Sequence, residues 1–163
     1  MRRAICLLPF LALLGCASAK VSTDYDKGVD FSGYQTYGWI RGMEAANPAV
    51  EQMIRISVDR QLAAKGLKKV TESPDLQVAT HASTSVGQQF NVDAFGYAYS
   101  GVGWSGNMAG VQTVDVGTLL LDLVDTSSQK LVWRGMASAV VGHTMPQEKM
   151  DKTVGKMLSG FPP

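Results

Sequence analysis

The chain holds 163 residues, 45% of them hydrophobic and 18% charged, with a formal net charge of +1 and 2 cysteines. That length suits one domain, and the apolar share is too high for a disordered chain. A near-neutral balance without a polybasic segment argues against recruitment of nucleic acid by charge, and so few cysteines exclude a disulfide-stapled scaffold.

Arg2 and Arg3 precede an apolar run over residues 4–14. A short apolar run behind basic residues reads as a secretory signal, and it falls well short of the roughly 20 residues that cross a bilayer as a helix. Two cleavage points are open. One is an ordinary small-residue site near Ala17-Ser18-Ala19. The other is Leu13-Leu14-Gly15-Cys16, which resembles the bacterial lipobox. That resemblance implies a diacylglyceryl group on the Cys16 thiol, cleavage before Cys16 and acylation of the new N-terminus. Two or more acyl chains anchor a protein stably, since each buried methylene contributes about 0.8 kcal/mol. Removal of residues 1–15 takes away Arg2, Arg3 and Cys6, turns the charge slightly negative and leaves Cys16 as the sole cysteine. The expected organisation is a signal peptide over 1–15, a lipidated tether over 16–20 and a single domain over 21–163.

Residues 21–26 alternate weakly, as a first strand would, 28–33 read as a turn, and the aromatic stretch 34–40 reads as a second strand. A helix follows. Asn47 is a good N-cap, Pro48 suits the first helical position, and Val50, Ile54, Val58 and Leu62 recur every four residues. Arg55, Asp59 and Arg60 lie outside that stripe. Gly66 stops the helix, and Leu67 folds back over its last turn.

Pro74 and Asp75 open a strand with Leu76, Val78, Thr80 and Ala82 on one face. Residues 87–110 interleave Gly, Ser, Asn and Ala with aromatics, have no period, and predict a long loop. Residues 114–125 and 131–142 form the strongest β signal, joined by the polar stretch 126–130. Placing Asp125 opposite Leu131 sets Leu123 against Trp133 and Leu121 against Gly135. The same register pairs Asp122 with Arg134 across the strands. Thr144 and Gln147 have capping-box spacing, and Met150, Val154, Met157, Leu158 and Phe161 mark a last apolar helical stripe. The sum predicts an α+β domain, a largely antiparallel sheet with two helices packed on one face.

Several segments together resemble a bacterial lipoprotein family, domain of unknown function 4136. They are VSTDYDKGVDFSGYQTYGWI, LAAKGL, SPDLQV, GTLLLDLVDTSSQKLVWRG and the terminal GFPP, spread over residues 21–163. The resemblance implies an envelope location, a single α+β domain and a Gly- and aromatic-rich insertion at 87–110. It carries no catalytic residues. A likeness of Ala17 to the sorting position of enterobacterial lipoproteins, where an aspartate would retain the protein in the inner membrane, implies the outer membrane.

Catalytic and metal chemistry find little support. His81 and His143 are the two histidines, and neither sits in a Cys- or carboxylate-dense motif of the kind zinc needs. Asp24 and Asp26 flank a tyrosine, a spacing commoner in turns than in calcium sites. Asp122 and Asp125, three apart on a strand, project to opposite faces and so do not form an acid/base pair. Ser105 lacks the spacing of a nucleophile elbow, and Gly101 and Gly103 lack the strand-to-helix context of a phosphate cradle. No cofactor and no metal is expected. The remaining candidates are Tyr97, Tyr99 and Trp104, aromatics among small polar neighbours that suit contact with an envelope protein or polysaccharide. The sequence therefore predicts a non-catalytic envelope lipoprotein with a structural or binding role, its membrane contact made through lipid on Cys16. The alternatives are a periplasmic small-ligand carrier and an accessory subunit of an envelope enzyme.

Overall fold

The structure, a computed structural model, describes residues 19–90, 111–142 and 145–162. It contains β1 (Lys20–Tyr25), a 3-10 turn at Phe31–Gly33, β2 (Thr36–Trp39), α1 (Pro48–Ala64), β3 (Lys68–Lys69), β4 (Leu76–Phe90), β5 (Val111–Asp125), β6 (Leu131–Val140) and α2 (Gln147–Leu158). The six strands form one sheet in the order β1-β6-β5-β4-β2-β3. The expected largely antiparallel sheet is instead mixed. β1, β6, β5 and β4 pair antiparallel, whereas β2 runs parallel to both β3 and β4. The reason is α1. A helix between β2 and the strands that follow it returns the chain to the starting end, which aligns neighbouring strands in the same direction.

The best-marked helix forms as its sequence dictates. The Asn47 side chain accepts from Ala49 N, and Pro48 stands at the first helical position. At the other end Gly66 N donates to Ala63 O and Leu67 N to Leu62 O, with Gly66 at φ 91° and Leu67 buried. This crossed pair of bonds is a Schellman stop. The proposed capping box does not form this way. Pro146 is the N-cap of α2 and makes no side-chain cap bond. The Gln147 amide instead donates to Met53 O, Ser57 Oγ and Asp151 Oδ1, which ties α2 to α1; Thr144 lies outside the described residues.

On β5 and β6 Leu123 faces Trp133, Asp122 faces Arg134 and Leu121 faces Gly135. Closer to the hairpin the pairing shifts, so that Leu131 meets Val124 rather than Asp125. Val132 is the extra residue of this bulge, and both Val132 and its neighbour Trp133 are buried, as a bulge permits for adjacent side chains. β4 extends to Phe90, so residues 87–90, expected in the loop, are strand paired with β5.

Buried side chains from both helices join those of the sheet in one core, with Ile54, Val58 and Leu62 from α1, Met150, Val154 and Met157 from α2, and Leu76, Leu121, Leu123 and Trp133 from the strands. Among the described residues every core side chain lies between Phe31 and Phe161. An aromatic cluster closes one end, with Phe161 edge-on to both Phe31 (5.5 Å) and Trp133 (5.9 Å). Trp133 Nε1 donates to Gly160 O, which gives the terminal Gly-Phe a packing role.

Candidate functional site

At the opposite end of the sheet the strands and helices diverge. The floor is made by Ala82 and Thr84 of β4, Gly117 and Leu119 of β5, and Ala137 and Ala139 of β6. Asn47, Val50 and Ile54 of the α1 end form one wall, and Met145, Lys149, Met150 and Thr153 of the α2 end form the other. Together they enclose an open cleft of about 460 Å³, within the range of roughly 300–1,000 Å³ typical of small-molecule sites. The space exists because small residues occupy the floor where larger ones would fill it. A Cβ at Gly117 would already lie 2.7 Å from Val141 Cγ1.

The lining is mostly apolar, and several of its polar groups have partners within the protein, whereas the Ser83 and Thr84 hydroxyls face the cleft's open side. Asn47 caps its helix, Thr118 Oγ1 lies 3.3 Å from Ser138 Oγ, and Thr153 Oγ1 donates to Lys149 O. Lys149 is the one charged side chain among the described lining residues, and its Nζ lies 3.5 Å from Val140 O. Among the described lining residues none is a carboxylate. Those residues offer hydrocarbon contact and one positive charge.

The charged groups singled out in the sequence lie elsewhere. Arg134 Nε and its NH2 nitrogen donate to the two Asp122 oxygens at 2.6 Å each, and this bond raises the Arg134 pKa. His81 Nε2 stands 3.6 Å from Asp122 Oδ2, while His81 Nδ1 accepts from Met43 N. The cluster braces three neighbouring strands. Asp125 is not part of it and accepts from Ser127 Oγ, Ser128 N and Tyr34 OH at the hairpin. Asp24, within β1, accepts from the backbone N–H of Tyr25, and Asp26, in the turn that follows, accepts from that of Gly28. Among the described residues no group of three or more His, Cys, Asp or Glu is placed to hold a metal ion. Cys16, Tyr97, Tyr99, Trp104, Gly101, Gly103, Ser105 and His143 lie outside the described residues.

The cleft was not legible in the sequence, because alanine, glycine and threonine in strands read only as weak strand formers. The available signal was positional: Ala82, Gly117, Ala137 and Ala139 fall at the same end of three adjacent strands once the register is known.

Among the described residues the fold is that of a single α+β domain with a mixed six-stranded sheet and two helices. The chain belongs to the family described as Domain of unknown function (DUF4136), whose model matches residues 21–163. No curated protein matches the sequence. Among solved structures, a PDZ domain protein from Parabacteroides distasonis is similar, with a TM-score of 0.59 and 15% identity; the match covers 89% of this chain and 36% of that one. The PelC dodecamer from Paraburkholderia phytofirmans is similar with a TM-score of 0.54 and 10% identity, over 86% of this chain and 95% of that one. Likeness at these identities is likeness of fold.

Proposed function

We propose that the protein is a non-catalytic lipoprotein of the bacterial envelope, acylated at Cys16, whose helix-covered sheet domain binds rather than transforms its partner. The reading places it on the outer membrane with the domain in the periplasm. The observation that carries it is the short interval between the lipobox-like Leu13-Leu14-Gly15-Cys16 and Lys20, where β1 begins. Four extended residues reach at most about 14 Å, so an acylated Cys16 would hold the domain close to a bilayer. A mostly apolar cleft, with no carboxylate among its described lining residues, supports binding over catalysis. In this reading Tyr97, Tyr99 and Trp104 make a second contact, to an envelope protein or polysaccharide.

Metabolic labelling with an alkyne analogue of palmitate tests the tether. The wild-type chain incorporates the label and the Cys16→Ala chain does not. An unlabelled wild type, or equal labelling of both, overturns the reading.

A carrier function is the second reading, and the open cleft is the observation that favours it.

A further inference from the structure

We propose that the cleft between the helix ends and strands β4–β6 receives the hydrocarbon chain of a long-chain fatty acid, with the carboxylate at Lys149. The inference deepens the carrier reading above, and it draws on the tether for delivery of the ligand but not for the chemistry of binding. Three observations converge on this ligand class. The floor residues Ala82, Gly117, Ala137 and Ala139 leave a trough of about 460 Å³ with hydrocarbon walls. Asn47, Thr118 and Thr153 already use polar atoms within the protein, which leaves mainly the Ser83 and Thr84 hydroxyls, so a sugar or nucleotide would lose more hydrogen bonds to water than the cleft replaces. A flexible alkyl chain loses none. The charge is also selective. Among the described lining residues Lys149 is the one charged side chain and none is a carboxylate, which favours an anionic head over a cationic or zwitterionic one.

Position in the fold adds the source. Lys20, the first residue of β1, pairs with Ser138, between the cleft residues Ala137 and Ala139. The chain therefore enters the domain at the cleft's end of the sheet. A lipid on Cys16 would turn that end, rather than the aromatic end around Phe161, toward the bilayer. Free fatty acid partitioning from a membrane would then meet the cleft first.

The test uses the chain from Ala17 to Pro163, which keeps every described core residue. It carries no acyl group to compete. Displacement of a fluorescent anthroyloxy-palmitate probe is followed with fatty acids of increasing length and with hexadecanol. The expected result is saturable one-to-one binding whose affinity rises about fourfold per added methylene until the cleft is full, the equivalent of about 0.8 kcal/mol for each. Ala139→Phe and Ala82→Leu, each introduced at a half-buried floor position, weaken palmitate about tenfold or more while circular dichroism and melting stay unchanged. Lys149→Glu weakens palmitate about tenfold and leaves hexadecanol within about twofold. Absence of saturable binding, or binding indifferent to both filling substitutions, overturns the proposal. Equal loss of palmitate and hexadecanol in Lys149→Glu overturns the assignment of the head group. Labelled Cys16 together with no palmitate binding would remove this inference alone, whereas palmitate binding by a chain that is never acylated would remove only the tether.

Discussion

Asp59 lies outside the apolar stripe of α1, where a charged residue ordinarily faces water. In the fold it accepts from Tyr37 OH at 2.9 Å, Trp39 Nε1 at 2.8 Å and Lys69 Nζ at 2.8 Å. Burial pushes its pKa up, but the three donors outweigh burial and leave it below the usual carboxylate value. Tyr37 is buried, so Asp59→Ala strands a phenol and an indole and should cost about 1–3 kcal/mol. Urea denaturation reads this directly, and an unchanged midpoint would contradict it. Arg134→Ala should cost a similar amount, about 1–3 kcal/mol, because Asp122 keeps only 8% of its side chain exposed while Arg134 keeps 47%.

Two other aspartates contribute to the response to acid. The Asp75 carboxylate takes bonds from Gln35 N, Thr36 N and Thr36 Oγ1, and Asp125 takes them from Ser127, Ser128 and Tyr34. Both groups are held below their ordinary pKa, Asp75 chiefly by the Gln35 N–H and Asp125 chiefly by the Ser127 hydroxyl. The folded chain then binds fewer protons than the unfolded one near pH 4, so their stabilisation is complete above about pH 4 and is lost as pH falls through the depressed values. Tyr34 has the opposite sign. Burial and the Asp125 carboxylate push it up to about 12, so its contribution holds below about pH 10 and disappears as pH rises through about 12. Urea midpoints measured across pH should therefore decline on both sides of a plateau. In Asp125→Asn the acid decline should be shallower; an acid limb identical to the wild type would rule out this role.

At the scale of elements, ends were easier to read than pairings. Asn47, Pro48 and Gly66 mark α1 because caps act through the nearest few residues, which the sequence displays directly. Asn47→Ala should accordingly cost about 1 kcal/mol of stability, measured by thermal or urea unfolding, and a neutral result would mean that the cap bond to Ala49 N contributes little. The β5–β6 register was legible from Leu121, Leu123 and Trp133, since a one-residue slip would set Asp122 beside Trp133 and turn the leucines outward. The parallel alignment of β2 was not. Nothing within residues 36–39 states which strand lies beside them, and the direction follows from the crossover through α1. Gln147 misled for a related reason. Its spacing from Thr144 fits a capping box, but three acceptors near it on α1 and α2 take its amide instead. Gly135 shows a tertiary demand invisible in sequence, since an added Cβ there would come 2.5 Å from the Trp133 ring. Gly135→Ala should displace that indole, with loss of the Trp133 bond to Gly160 and a stability cost of about 1–3 kcal/mol. Near-ultraviolet circular dichroism would register the displaced ring.

For the whole molecule, the two ends of the sheet differ in kind. One is sealed by Phe31, Trp133 and Phe161, and the other opens into the small-residue cleft beside which β1 begins. The family match covers residues 21–163, and the proposed tether precedes it. The account of a domain held at a bilayer by its first mature residue is tested most directly by mass spectrometry of the N-terminal peptide from protein purified out of its native membrane. The account predicts a peptide that starts at Cys16 and carries acyl groups on its sulfur and its amino nitrogen. A peptide with an unmodified Cys16 thiol, or one that starts after Ala19, would contradict it.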